Sequence, residues 1–395
     1  IYHVQQCFEF RDVRPSAEAM RQALTLLVAA HPVFRTALIQ VGETTVQAIT
    51  PEDAFAFEFI EEDLRACTEV ERDMRLRDHV IRDRGRAFPD EALLRFAWFR
   101  TADDMFVLVH SIHHAIDDGW GNQHFLGQLF QAYIRLRNGE TPDVEPAGNV
   151  FREYVALQLE LADSKEARSF WSSRRFHPCG IDTLQRHPGR TQNRYGSVMT
   201  IDASTTGRLR TLARRLGVSL KSVLLGAYLE TIRSWSCVAS PTVGVIVNGR
   251  SERLSDPLGS LGLFWNMLPF GHDEWIADHG QNVQAIQRGL LDMERHAAFP
   301  HDSIETLQGA SGLFFATFNY LDFHNAASLP GDEGIELARV YGHDKFHYPL
   351  NHAFSVDRSN DAINVCVQYD DEYFDGRDVH ALNVRLLDVL EKFSA

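Results

Sequence analysis

The residues best suited to chemistry are two adjacent histidines, His113 and His114, followed after three intervening residues by the pair Asp118-Gly119. A histidine side chain titrates near neutral pH, so it can accept or share a proton in a reaction. The alternating apolar run before the histidines predicts a strand, and residues 120–136 predict a helix. Aspartate caps helix starts, and glycine allows a tight backbone turn. The spacing therefore predicts a proton-handling site where a strand turns into a helix.

The same layout recurs near the end of the sequence without the histidines. Residues 350–393 predict two strands, an Asp-Gly turn and a helix. In an alignment of the two segments, Asp118-Gly119 falls opposite Asp375-Gly376, and the histidines fall opposite Asp370 and Asp371. We interpret the repeated Asp-Gly turn as architectural and the histidines, which occur in one copy, as chemical.

Length and composition indicate a globular protein with two lobes. The 395 residues exceed a single core of typical size, and 44% hydrophobic with 24% charged residues is ordinary for a globular chain. A net charge of −15 argues against nucleic acid as the main partner. No apolar run is long enough to predict a membrane span. Five scattered cysteines without Cys-x-x-Cys spacing favour a reduced, cytoplasmic protein.

Strands and helices alternate without regular βαβ spacing, which predicts an α+β fold of layered lobes. The polar stretch 179–194 follows two predicted helices and is the expected boundary between lobes. We therefore predict an N-terminal lobe over 1–178, carrying the histidine motif, and a C-terminal lobe over 179–395. The first five residues read like part of a strand, so further residues are expected upstream.

The pattern His-His-x-x-x-Asp-Gly resembles the active-site signature of nonribosomal peptide synthetase condensation domains. Four other segments resemble motifs of that family and follow its order: residues 30–37, 151–154, 262–269 and 343–350. The family's opening Ser-x-Ala-Gln segment is absent. Trp265 and Met267 replace smaller or polar residues beside Asn266, which leaves the shape of the pocket there open.

The resemblance implies two chloramphenicol-acetyltransferase-like α/β sandwich lobes in a V-shaped pseudo-dimer, with the active site in a tunnel between them. It implies no cofactor bound by the chain itself. Substrates would arrive on the 4'-phosphopantetheine arms of donor and acceptor peptidyl carrier proteins, and flanking synthetase domains would be further partners. The acceptor amine would attack the donor thioester and form an amide.

His114 is the predicted catalytic residue, either as a general base or as a group that orients the attacking amine. The alternative is a hydrogen-bonded histidine at a strand end. His113, as its neighbour, is expected to point the other way and to serve in packing or hydrogen bonding. A metal site built from these two residues with His110 and His124 is not expected, because adjacent histidines rarely converge on one ion.

The remaining candidates are supporting residues. The resemblance implies a buried salt bridge from Asp118 to Arg35, whose alternative is a solvated residue at a strand edge. Gly119 offers an N–H at a helix start, where developing negative charge is favoured, or it is a plain turn glycine. Asn266 either lines the tunnel or forms local hydrogen bonds. Alternation places Trp265 and Met267 on the opposite face, so we predict Asn266 inward and the two large residues packed in the lobe.

Other functions remain open on sequence alone. A same-superfamily alternative is an acyltransferase that uses a coenzyme A or carrier-bound acyl donor, or an enzyme that forms esters. An epimerization domain shares the doubled histidine, although its additional acid-base residue is not identifiable. A non-catalytic recruitment domain of this family tends to lose the histidine that this chain retains as His114.

Overall fold

The computed structural model describes residues 3–177, 184–187, 194–322, 334–344 and 347–394. The elements up to residue 163 are β1 (His3–Asp12), α1 (Ala17–Ala30), β2 (Thr36–Val41), β3 (Thr44–Ile49), β4 (Glu58–Asp63), α2 (Glu69–Gly85), β5 (Leu94–Ala102), β6 (Met105–His113), α3 (Gly119–Arg137) and α4 (Val150–Asp163). The later elements are α5 (Lys165–Ser173), β7 (Arg194–Ile201), α6 (Ala203–Leu216), α7 (Leu220–Ser236), β8 (Val243–Asn248), β9 (Trp265–Phe270), α8 (His279–Glu294), α9 (His301–Gln308), β10 (Ala316–Leu321), β11 (Ile335–Asp344), β12 (Leu350–Val356), β13 (Ile363–Asp370) and α10 (Gly376–Ser394). This mixture confirms the predicted α+β class.

The chain divides into two compact units. Unit 1 comprises the described residues of 1–154, 251–264 and 323–345, and unit 2 comprises those of 155–250, 265–322 and 346–394. Each unit contains its own mixed sheet. The five-stranded sheet of unit 1 has the order β11-β1-β6-β5-β4, and the six-stranded sheet of unit 2 has the order β7-β13-β12-β10-β8-β9.

The division differs from the predicted lobes at 1–178 and 179–395. Residues 155–177 belong to unit 2, whereas 251–264 and the described residues 334–344 return to unit 1. The physical reason is strand pairing: β11 pairs antiparallel with β1 over nine residue pairs, and this long-range register leaves no local trace in the sequence. The predicted boundary between 178 and 179 lies outside the described residues, as do 345 and 346 of the last resembling segment.

The sheet of unit 1 is covered on both faces because β6 is apolar on both sides. Its even-numbered residues, such as Leu108 and Ile112, pack with α1 and α3, and its odd-numbered residues, such as Val107 and Val109, pack on the side of α2. Alternate strand side chains point to opposite faces, so each face has its own apolar cluster. The strand that carries His113 is therefore held from both sides.

Unit 2 has one large apolar core, which packs α6, α7, α8 and α10 against its sheet. Within it, β12 and β13 form an antiparallel pair that is followed by α10, just as β5 and β6 in unit 1 are followed by α3. Both helices contain 19 residues and begin at a glycine. The predicted repeat of strand, strand, Asp-Gly turn and helix is thus confirmed.

Helix α2 was not predicted, although its start carries a readable signal. Thr68 accepts a hydrogen bond from the N–H of Glu71, and the Glu71 carboxylate accepts one from the N–H of Thr68. This capping box fixes the helix start within a strongly charged stretch that hides the apolar periodicity. No helix in the part of the chain that the structure describes is both long and apolar enough to cross a membrane.

Candidate active site

The histidine motif lies at the junction of β6 and α3 in unit 1. His113 is the last residue of β6, Gly119 is the first residue of α3, and residues 114–118 form the connection. Strand and helix ends are fixed by the core on either side, so the short connection between them has little freedom. The predicted junction of a strand with a helix is confirmed at this point.

The ring of His114 is oriented by a bond to its own loop. Its Nδ1 lies 2.6 Å from the carbonyl oxygen of Asp117. A carbonyl can only accept, so Nδ1 carries the hydrogen, and in the neutral ring the basic nitrogen is then Nε2. The half-buried side chain of His114 thus has the tautomer that a general base, or a group that orients an amine, requires.

His113 has the opposite tautomer and different contacts. Its Nδ1 accepts a hydrogen bond from the N–H of Ala115 at 3.1 Å, so this nitrogen carries no hydrogen. The ring meets Phe88 edge-on, with 5.9 Å between the ring centres. Burial lowers the pKa of His113. These contacts are those of a neutral packing residue, the role that strand alternation predicted for His113.

Asp118 is buried and uses both carboxylate oxygens for the backbone. Oδ1 accepts from the N–H of Gly121 at 2.7 Å and so caps α3. Oδ2 accepts from the N–H of Phe264 at 2.9 Å. The carboxylate therefore ties the motif to the segment 251–264 of the same unit. In the repeat, Asp375 accepts from the N–H groups of Arg377 and Asp378.

The predicted salt bridge between Asp118 and Arg35 is wrong. The Arg35 guanidinium donates to three carbonyl oxygens, those of Val28 at 3.2 Å, Ala29 at 3.2 Å and Thr50 at 2.5 Å. It therefore fastens the end of α1 to the residue after β3. The sequence suggested an acidic partner, but folding brought carbonyl groups to the guanidinium, and these offer the same acceptor chemistry.

Gly119 is exposed at the start of α3, and among the described residues its N–H has no hydrogen-bond acceptor. The first N–H groups of a helix have no partner within the helix, so this one points its donor outward from the helix start. Such a group can stabilise developing negative charge. The position is compatible with the predicted role as an oxyanion donor.

Asn266 lies in unit 2 and forms local hydrogen bonds. Its amide nitrogen donates to the carbonyl oxygens of Ala297 at 2.9 Å and Phe299 at 2.7 Å. Both amide hydrogens are used within the unit, so the prediction of an inward Asn266 lining a channel is replaced by its alternative. Met267 is buried in the core of unit 2 and Trp265 packs partly buried against it, as predicted.

Two glycines that were not among the predicted site residues, Gly121 and Gly262, bring the motif close to segment 251–264. A Cβ on Gly121 would lie 2.8 Å from Oδ1 of Asp117 and 3.5 Å from the backbone nitrogen of Gly262. Gly262 has φ of +147°, and a Cβ there would lie 2.9 Å from the Phe151 ring. The spacing Gly119-Trp120-Gly121 was the available signal, because two glycines in a helix start favour close backbone approach.

The four histidines considered for a metal do not converge. His110 is stacked on Phe96 with 5.0 Å between ring centres and also contacts Phe125 of α3, whereas His113 contacts Phe88. Within the described residues no group of three or more His, Cys, Asp or Glu side chains is arranged to hold a metal ion.

Comparison with known proteins gives one consistent family. The family model described as Condensation domain matches residues 1–395. AMB antimetabolite synthetase AmbE of Pseudomonas aeruginosa is 28% identical over 332 residues, which are 80% of this chain and 15% of that protein. Bacitracin synthase 3 of Bacillus licheniformis is 23% identical over 390 residues, which are 94% of this chain and 6% of that protein. The chain thus spans a small part of each relative.

Solved structures agree on the fold. The first condensation domain of the calcium-dependent antibiotic synthetase, in complex with a substrate analogue, is matched with a TM-score of 0.78 and 18% identity, covering 100% of this chain and 92% of that one. The X-domain from teicoplanin biosynthesis is matched with a TM-score of 0.80 and 20% identity, covering 100% and 90%. Since differently named domains share the fold, the choice among functions depends on the site residues.

Proposed function

Because the chain belongs to the condensation-domain family, we propose that it is an acyltransferase that forms an amide bond between two carrier-bound substrates. The amine of the acceptor attacks the carbonyl carbon of the donor thioester. The carbon–nitrogen bond forms, the carbon–sulfur bond breaks, and the donor carrier keeps a free thiol. The proton lost by the amine balances the thiolate that leaves. Both 4'-phosphopantetheine arms belong to the substrates, and the chain itself supplies no cofactor.

The observation that carries this proposal is the hydrogen bond from His114 Nδ1 to the Asp117 carbonyl oxygen. It leaves Nε2 as the basic nitrogen of the neutral ring, able to accept a proton from the amine or to hold the amine by a hydrogen bond. The exposed N–H of Gly119 at the start of α3 is the proposed donor to the oxyanion that forms when the amine adds to the thioester. Neither role needs a metal.

The partners follow from the same proposal. The donor and the acceptor are peptidyl carrier proteins, and flanking synthetase domains accompany them, since the matched relatives are much longer than this chain. The retained His114 favours an enzyme over a non-catalytic member of the fold.

The test is intact-protein mass spectrometry of two carrier proteins loaded with a panel of aminoacyl groups, with and without this chain. We expect the acceptor carrier to gain the mass of the donor acyl group while the donor carrier returns to its free thiol. Transfer from a coenzyme A thioester, or to an alcohol in place of the amine, would identify the acyltransferase or ester-forming alternative. Absence of transfer from every donor would refute the proposal.

A further inference from the structure

A buried carboxylate in unit 1 joins three strands of the sheet next to the histidine motif. Asp83, in the last turn of α2, is 3% exposed. Its carboxylate accepts hydrogen bonds from Nε of Arg95 on β5, from Oγ of Ser111 on β6 and from Nε2 of Gln5 on β1, the last at 2.6 Å. Burial by itself raises the pKa of Asp83, but the bonds from Ser111 and Arg95 outweigh it and the pKa is lowered, so the group is ionised at neutral pH.

Arg95 extends this cluster to the loop between α2 and β5. Its Nη2 donates to the carbonyl oxygens of Asp83 at 2.7 Å and Arg86 at 3.1 Å, and Nη1 reaches that of Ala87 at 3.4 Å. The guanidinium carbon lies 4.2 Å from the centre of the Phe88 ring. One arginine therefore fixes both the backbone that leads to Phe88 and the face of its ring.

Phe88 connects the cluster to the motif. Its ring meets His113 edge-on, with an interplanar angle of 86°. His113 in turn accepts the N–H of Ala115 through Nδ1. Ala115 directly follows His114, so an unbroken series of contacts runs from Asp83 through Arg95, Phe88 and His113 to the loop that holds His114.

We propose that Asp83 is a positioning residue for His114, acting through Arg95, the Phe88 ring and His113 on the connection 114–118. The proposal rests on the proposed role of His114 and adds a source for its orientation. It gives a role to the buried polar residue Ser111, which lies two positions before His113 on β6 and follows the apolar Val107 and Val109 on the same face. Removing the charge on Asp83 weakens the bond from Nε of Arg95, while the bonds from Nη1 and Nη2 to carbonyl oxygens remain, and so allows the guanidinium and the ring of Phe88 to shift.

The test compares Asp83→Asn, Phe88→Leu and the double variant in the full chain. Ring ¹⁵N spectra report which nitrogen of His113 and His114 carries hydrogen, with His113→Gln and His114→Gln used to assign the signals. We expect both single variants to move the His113 and His114 ring signals and to lower kcat for condensation about 10- to 100-fold with a smaller change in KM. The kcat of the double variant falls no further than that of the less active single variant, because both substitutions interrupt one series of contacts.

Asp12→Asn is the matched control. Asp12 is a buried carboxylate of the same unit, bound to Tyr133 and Arg137 at 2.5 Å each, and it lies at the other end of β1. Its substitution removes a similar buried charge, so thermal unfolding shifts while the His113 and His114 ring signals and kcat remain as in the unchanged chain.

The outcomes separate this proposal from the proposed function. Unchanged ring signals in a folded Asp83→Asn or Phe88→Leu protein would overturn the positioning role, whatever the turnover. If Asp83→Asn does not fold, Phe88→Leu alone decides, since Phe88 is only half-buried. Full turnover of His114→Ala would instead refute the chemical role of His114, while the ring signals would still test the contacts from Asp83.

Discussion

The carboxylate of Asp118 accepts the N–H of Phe264 at 2.9 Å, across 146 residues of chain, while its other oxygen caps α3 at Gly121. One buried side chain thereby fixes the helix start behind the histidine loop and the segment that returns to unit 1. Both bonds are to backbone groups, so the Asp118 carboxylate stabilises the backbone around the motif. Asp118 directly follows Asp117, whose carbonyl oxygen binds His114, so the helix cap and the bond that orients the histidine lie in the same short loop.

We predict that His114→Ala lowers the condensation rate about 10²- to 10⁴-fold, the usual contribution of a proton-transferring side chain. The fold should survive, because the side chain is half-buried and its Nδ1 bonds a carbonyl of its own loop. The rate is measured by mass spectrometry of loaded carriers. His380→Ala, at an exposed site on α10, is the control and should keep full activity. Wild-type turnover by His114→Ala would refute the assignment.

Asp118→Ala is expected to lower the free energy of unfolding by about 2–4 kcal/mol, since it removes a helix cap and leaves the buried N–H of Phe264 without its acceptor. Urea unfolding measures the change. Asp375→Ala, in the repeat, removes the turn at the start of α10 and a surface bond to Arg377, and it should lower the free energy of unfolding by about 1 kcal/mol. An unchanged stability together with lost activity would make Asp118 a chemical group.

Arg35→Ala should also destabilise unit 1, because the carbonyls of Val28, Ala29 and Thr50 lose a charged donor; we expect about 2–4 kcal/mol. Since Arg35 is not bonded to Asp118, the effects of Arg35→Ala and Asp118→Ala should add within about 0.5 kcal/mol in the double variant. Urea unfolding of the unchanged chain, the two single variants and the double variant measures whether the two losses of unfolding free energy add. A coupling energy of several kcal/mol between the two substitutions would show that Arg35 and Asp118 interact, as the sequence suggested.

Asn266→Ala is predicted to lower stability by about 2–3 kcal/mol without changing the range of donors accepted. The buried amide supplies both of its hydrogens to the carbonyls of Ala297 and Phe299, and alanine leaves these acceptors unsatisfied. Thermal unfolding and the carrier panel are measured on the same protein. A variant of unchanged stability that accepts a different range of donors would show that Asn266 contacts the substrate.

Stability should fall as the pH drops below about 6.5, because buried histidines stay neutral in the folded chain. Burial lowers the pKa of His110 to about 3 and that of His352 to about 4. Above pH 6.5 neither the folded nor the unfolded chain binds a proton at these rings. Below it only the unfolded chain does, and each site then removes up to about 1.4 kcal/mol per pH unit until its folded pKa is reached.

His110→Leu tests this directly, since the His110 ring has no hydrogen-bond partner in the described part of the chain. The free energy of unfolding is measured by urea unfolding between about pH 6 and 5. For the variant it should fall less steeply as the pH drops, by about 1.4 kcal/mol per pH unit, which corresponds to about one fewer proton bound on unfolding. His380→Leu, at the exposed site on α10, should leave the slope unchanged. An equal slope for the His110 variant and the unchanged chain would show that this ring binds a proton when folded.

The sequence by itself determined the local units. The strand before His113, the cap at Asp118, the helix after it and the repeat at Asp375-Gly376 all depend on neighbouring residues, since periodicity, capping and turns act over a few positions. The contact of His113 with Phe88 agrees with the packing role that strand alternation predicted for the last residue of the strand. These features were predicted where the structure has them.

Only the tertiary structure decided which distant groups meet. The pairing of β11 with β1, the bond from Asp118 to Phe264 and the carbonyl partners of Arg35 depend on segments that come together after loops of many residues are closed. The cost of loop closure changes slowly with length, and a buried donor accepts any well-placed oxygen as its partner, so sequence does not single out one. Asp83 shows the same limit: its charge looks solvated along the chain, and only packing of α2 on the sheet turns it into the acceptor for three strands.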